Sequence, residues 1–110
     1  MKYLVVFKGD ENCPAPPMMD LRIKHFRQQN PNGRGVSAHG GYTLIHNSVS
    51  GRFYSAKCRM DEQFSKRKGI LVCIQKYLDS FNLEIDDYEF INGGIRVVVR
   101  AATGDRFAWL

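Results

Sequence analysis

Apolar positions recur in two rhythms along the chain, and the change between them marks its organisation. Over most of its length they alternate with polar ones, the period of a half-buried strand. KYLVVFK (residues 2–8) is a short β-type run, apolar from Tyr3 to Phe7 and broken by Gly9 and the polar, proline-rich GDENCPAPP. DLRIKHFRQ sets Leu21 and Ile23 against Arg22 and Lys24, which reads as a strand; a helix capped by Asp20 is the competing reading. YTLIH (42–46) and RFYSAKC (52–58) flank the turn NSVSG and predict a hairpin. LEIDDYEF (83–90) predicts an acidic edge strand, NGG (92–94) a turn and IRVVVRA (95–101) a clear strand; ATGDRFAWL predicts a turn and a last short strand.

The rhythm changes once. Ile70, Leu71, Ile74, Tyr77, Leu78 and Phe81 fall at steps of three and four, and Phe64 extends the stripe by one turn. Asp61 is a good first residue for this helix, Ser65 is an alternative cap, and Asn82 marks the end. The fold class is therefore α+β: an antiparallel sheet of five to seven strands with one long helix, about 61–81, on one face. Residues 30–41, NPNGRGVSAHGG, hold four glycines and read as a mobile loop. With no repeat, linker or heptad pattern, the 110 residues predict a single domain.

Alternation also sorts side chains between the two faces of the sheet. If the helix covers the apolar side, the other side collects Arg22, Lys24, Lys57, Arg59, Arg96 and Arg100, with Phe26, Phe53 and Val98 among them. Cations interleaved with aromatics grip phosphates and stack bases. The plainer reading is a solvated face whose long basic stems lie over apolar neighbours. Charge does not decide between them. The net charge is +5, but residues 1–60 hold nine Lys or Arg and three acids, whereas residues 61–92 hold four and seven. A basic balance favours an anionic partner.

The strand-to-helix junction SAKCRMDEQFSKRKG (55–69) is the least ordinary stretch. Lys66, Arg67 and Lys68 crowd the start of the helix, where the macrodipole disfavours cations. Either Asp61 and Glu62 pair with them, or free N–H groups and cations together await an anion. Gly69, costly inside a helix, predicts the close approach of another backbone or of a partner.

Other chemistry is thinly represented. His25, His39, His46, Cys13 and Cys58 lack the close spacing of a zinc motif. Arg34, His39, His46 and Asp61 are the right types for acid–base phosphoryl chemistry, with nothing in their spacing to assemble them. Phosphate-loop, dinucleotide and nucleophile-elbow motifs are missing. Three cysteines with no close pair fit reduced thiols in a cytoplasm, and Cys73 reads as a core residue. No apolar run is long enough to cross a bilayer, and MKYLVVFKGDEN has too short an apolar stretch for a signal peptide.

AKCRMDEQFSKRKGILVCIQKYL resembles a signature of small uncharacterised bacteriophage proteins. There a strand ends in Cys and is followed by Asp, Phe, Ser or Arg, a basic residue, Gly and a helix that opens with Ile. Cys58, Asp61, Phe64, Ser65, Lys66, Gly69 and Ile70 match; Leu71, Val72 and Cys73 depart from the small or basic residues that usually follow. The resemblance covers about a fifth of the chain. It implies a phage protein acting in the cytoplasm of a bacterial host, where such proteins are often inhibitors of host machinery, anti-CRISPR proteins among them.

The expectation is then a non-catalytic binding protein without cofactor, metal or membrane. It would engage nucleic acid or a host nucleoprotein through Arg22, Lys24, Lys57, Arg59, Arg96 and Arg100, with Lys66, Arg67 and Lys68, and inhibit a host process. A protein-surface inhibitor docking through residues 84–89 or 30–41, and a sponge closing over a nucleotide at the helix start, are the alternatives.

Overall fold

The computed structural model describes residues 3–30 and 32–104. Six strands and one helix follow in the order β1 (Tyr3–Lys8), β2 (Met19–Phe26), β3 (Tyr42–Asn47), β4 (Arg52–Lys57), α1 (Lys66–Asp79), β5 (Leu83–Ile91) and β6 (Gly94–Ala101). The strand expected at the end of the chain falls largely on residues 105–110, outside the described residues. Among the described residues no helix is long and apolar enough to cross a membrane.

The strands form one sheet in the order β4-β3-β2-β1-β6-β5. It is mixed, not antiparallel as expected, because the interior strands β1 and β6 pair in parallel, Val5 opposite Ile95 and Phe7 opposite Val97. The helix is the reason. Strands β1 to β4 reverse direction at each turn, α1 then carries the chain back, and the β5–β6 hairpin lands on the free side of β1 with β6 running the same way as β1. A parallel pair needs such a crossover.

The helix packs against β3 and β4, at one end of the sheet order, and against β5 at the other. The sheet therefore curls around it. Ile70, Leu71, Cys73, Ile74, Tyr77 and Leu78 meet Val5, Phe7, Leu21, Ile45, Ile95, Val97 and Val99 in a common core. Burial pushes the Cys73 thiol up to about 12, so it is an inert core group.

Three contacts lock the helix in place. Gly69 lies on Thr43: a Cβ there would overlap the Thr43 hydroxyl and stand 2.9 Å from its Cβ. The expected close approach is thus to a threonine side chain of the same chain. Thr43 is fully buried, and its hydroxyl lies 2.8 Å from Nδ1 of His25. Gln75 is buried too; its Nε2 donates to the Asp79 carboxylate and to the Leu83 carbonyl, and its Oε1 accepts from the Ile85 N–H at 3.0 Å. Tyr77 stacks obliquely on Phe7 and donates its hydroxyl to the Pro17 carbonyl.

The helix starts later than expected. Ser65, not Asp61, is the N-cap, its hydroxyl accepting from the Lys68 N–H at 3.2 Å. The residues before it are engaged elsewhere. The Gly40 N–H donates to the Glu62 carbonyl and the Phe64 N–H to the Ala38 carbonyl, so residues 62–64 pair with the glycine-rich loop as an extended segment. That loop, expected to be mobile, is tied down by these bonds and by Gln29 and Val36, which bridge across its own base. Phe64 anchors the junction, edge-on to His25 and beneath the Arg27 guanidinium at 4.8 Å. The Cys58 thiol points at three backbone carbonyls, nearest that of Glu62 at 3.4 Å.

At the far edge, Glu84 is buried with Arg100 opposite it across the ladder. One carboxylate oxygen accepts from Arg100 Nε at 2.8 Å and from the Thr103 hydroxyl and N–H. Burial pushes this carboxyl up, but the Thr103 and Arg100 hydrogen bonds outweigh it and hold it below the ordinary value of 4.5. Its charge therefore stabilises the fold fully above that value, and the contribution is lost as pH falls below it.

Three outcomes test these contacts by urea unfolding. Gly69→Ala destabilises by about 1–3 kcal/mol through overpacking on Thr43, against a gain of only about 1 kcal/mol in helix propensity. Gln75→Leu strips partners from the Ile85 N–H and the Leu83 carbonyl, at about 1–3 kcal/mol for each orphaned group. Arg100→Met lowers the midpoint at pH 7, and the gap to wild type narrows as the pH drops below 4.5, because a protonated Glu84 no longer needs the cation.

Candidate nucleic-acid interface

Because α1 fills the inner side of the curl, strand alternation sends the remaining side chains outward onto a face with no layer above it among the described residues. On β2, β3 and β4 this outer face carries Arg22, Lys24 and Phe26, then Tyr42, Leu44 and His46, then Phe53, Ser55 and Lys57. The register aligns them into rows. Phe26, Tyr42 and Lys57 form one, Lys24, Leu44 and Ser55 the next, and Arg22, His46 and Phe53 the third.

Each outer row contains a stacked pair. Phe26 and Tyr42 lie with ring centroids 4.5 Å apart and 15° between planes. His46 and Phe53 lie 4.4 Å apart at 22°. Phe53 is 65% exposed, unusual for a phenylalanine, and Phe26 and Tyr42 are also exposed. Tyr42 and His46 sit four residues apart on β3, so the pairs are separated by roughly 13 Å. Among the described residues no carboxylate pairs with Arg22, Lys24 or Lys57. Asp20 shares the face at its β1 side.

The β1, β6 and β5 half of the same face is different. Its cations Lys8, Arg96 and Arg100 are matched by Glu84, Asp87 and Glu89. Arg96 stands directly opposite Glu89, and Arg100 is committed to Glu84 and to Asp86 at 3.3 Å. The outer surface is thus basic and aromatic on one half and charge-balanced on the other.

The remaining expected residues lie elsewhere. Arg59 is past the end of β4 and pairs with Asp61 at 3.0 Å. Lys66, Arg67 and Lys68 start a helix on the opposite layer, so they do not share the face of Arg22 and Lys24. Lys68 pairs with Glu62 at 3.5 Å, and the Arg67 guanidinium lies 4.8 Å over the Phe90 ring. Lys66 lies near His25, whose pKa is lowered by burial and by that charge. The first turn itself holds no acid; Glu62 supplies the compensation from the turn before it. The hollow beside this turn, between Thr43, Ala56, Cys58, Phe64 and Val72, is about 60 Å³, against roughly 300 Å³ or more for ligand pockets.

Tyr42 and His46 are candidate site residues that the reading of the sequence passed over. Alternation along YTLIH places both outward; only the register shows that they meet Phe26 and Phe53. The acid–base set is not assembled: His46 is stacked on Phe53, Asp61 is held by Arg59, and no hydrogen bond joins any two of Arg34, His39, His46 and Asp61 among the described residues. No group of three or more metal-ligating side chains occurs among the described residues. The chain matches no protein-family model, no curated protein and no solved structure.

Proposed function

We propose that this protein is a non-catalytic binding protein that engages nucleic acid, alone or within a nucleoprotein, through the outer face of β2, β3 and β4. The observation that carries this reading is the alternation of Arg22, Lys24 and Lys57 with two exposed aromatic stacks on a face that nothing covers among the described residues. Cations attract the phosphates without regard to sequence, and aromatic faces take the bases. The balanced charges on β5 and β6 give an anion no reason to spread there. This narrows the interface to three cations, leaving Arg100 and Arg59 to their own carboxylates. On the resemblance to small phage proteins, such engagement would serve to inhibit a host process, in the manner of anti-CRISPR and other anti-defence proteins.

A protein-surface inhibitor working without nucleic acid is the second reading. Leu4 and Val6 are exposed between the two halves of the face, and apolar surface of this kind suits a protein partner. The acidic segment supports that reading less, since Arg100 holds two of its carboxylates. A nucleotide sponge at the helix start has the least support, given the 60 Å³ hollow there.

Fluorescence anisotropy with labelled oligonucleotides tests the proposal. Three phosphate contacts predict a log–log salt slope near −2, at roughly −0.7 to −0.9 for each. The Arg22→Glu, Lys24→Glu, Lys57→Glu variant should lose binding while keeping its unfolding midpoint, since all three side chains are exposed. Undiminished binding by that variant would sink the assignment of this face. Capture of a host protein that survives nuclease and high salt, with no oligonucleotide bound, would favour the second reading.

A further inference from the structure

We infer that the occupant of this face is a single strand, with its bases stacked on Phe53 and Phe26 and its backbone passing over Lys24. The inference rests on the nucleic-acid reading above and adds the class of nucleic acid.

The two stacked pairs are arranged in opposite senses. In the Arg22, His46, Phe53 row the aromatic end lies on β4 and the cation on β2. In the Phe26, Tyr42, Lys57 row the aromatic end lies on β2 and the cation on β4. Each pair has used one ring face internally, so what matters is whether the other face is open. For Phe53, 65% exposed, it is: β4 is an edge strand and no strand lies beyond it among the described residues. Phe26, at 40% exposed, also keeps part of its ring accessible. Two accessible rings therefore stand at opposite corners of the basic half. Lys24 lies in the row between them, and Arg22 and Lys57 at the other two corners.

A duplex makes poor use of this arrangement. Its bases are already stacked on both faces, so it offers the rings nothing but its ends. The helix that could enter a major groove lies on the other side of the sheet from this face, so it adds no groove reader here. A single strand has unstacked bases and a flexible backbone, and both features of the face have something to hold. The separation of roughly 13 Å between the pairs means the two stacked bases need not be neighbours, which leaves intervening phosphates for Lys24. The charge pattern bounds the path: beyond β2 lie the apolar Leu4 and Val6 of β1, and beyond β1 the balanced β6 and β5.

The test compares a fluorescein-labelled 12-nucleotide single strand with the matching 12-base-pair duplex, on the wild-type chain and on Phe26→Leu, Phe53→Leu and the double variant. Leucine keeps an apolar side chain and removes the ring, and unfolding in urea checks that each variant folds. The single strand should bind at least tenfold more tightly than the duplex. Each ring lost should weaken single-strand binding by about tenfold, the scale of one stacked base. The ring variants should keep the wild-type salt slope, because they remove no cation, whereas Arg22→Glu should flatten it. A duplex bound as tightly as the single strand, or a double variant that binds like wild type, overturns this inference and leaves the broader nucleic-acid reading standing. No binding of either oligonucleotide in 50 mM salt overturns both.

Discussion

The position of α1 depends on Gly69 lying against Thr43. Any side chain at 69 would lift the helix away from β3, and with it the apolar stripe that fills the curl of the sheet. The same helix reaches β5 through Gln75, whose amide satisfies a donor and an acceptor at the start of that strand. One rigid element thus bears on both ends of a six-stranded sheet. This matters because the two parts of the sheet meet in a parallel pair, β1 with β6, joining segments about ninety residues apart in the chain. The helix holds together what local pairing alone would leave as a four-stranded piece and a hairpin.

From that placement the outer face follows without further design. Once the inner side belongs to the helix, period two fixes which residues of every strand point out. Register then decides which of them are neighbours, and a slip of one residue would turn the whole set inward. Phe26 meets Tyr42 and His46 meets Phe53 because the hairpins β2–β3 and β3–β4 share one register. The outer face is therefore as well defined as the hairpins, although its side chains are exposed.

Much of this was legible in the sequence where burial imposes a period. The outward Arg22, Lys24, Phe26, Phe53, Lys57, Arg96 and Arg100 follow from alternation, and the helix stripe from steps of three and four. What was not legible depends on partners distant in the chain. The late helix start comes from the loop at Ala38 and Gly40 capturing residues 62–64, which propensity at Asp61 does not register. The parallel seam comes from a crossover, and β1 looks the same from sequence whether β6 runs with it or against it. Arg100 reads as one more outward cation until Glu84 is found opposite it and buried. Phe81, in step with the stripe, is 43% exposed because the helix ends at Asp79.

The junction SAKCRMDEQFSKRKG, proposed to follow a phage-protein signature, has a physical account that needs no ligand. Cys58 turns its thiol to backbone carbonyls, Phe64 packs between His25 and Arg27, Ser65 caps the helix, and Gly69 admits Thr43. Of the crowded cations, Lys68 answers Glu62 and Arg67 covers Phe90. These are the residues that dock one helix and one loop onto a curled sheet. Any chain built on the same junction would need them whatever it bound. Of the residues proposed to meet a ligand, Arg22, Lys24, Phe26, Tyr42, His46 and Phe53 lie in β2, β3 and the start of β4, before the matched stretch begins, and Lys57 lies within it at none of its matched positions. A shared signature of this kind therefore speaks for a shared way of seating the helix, and the outer face is free to differ in what it recognises.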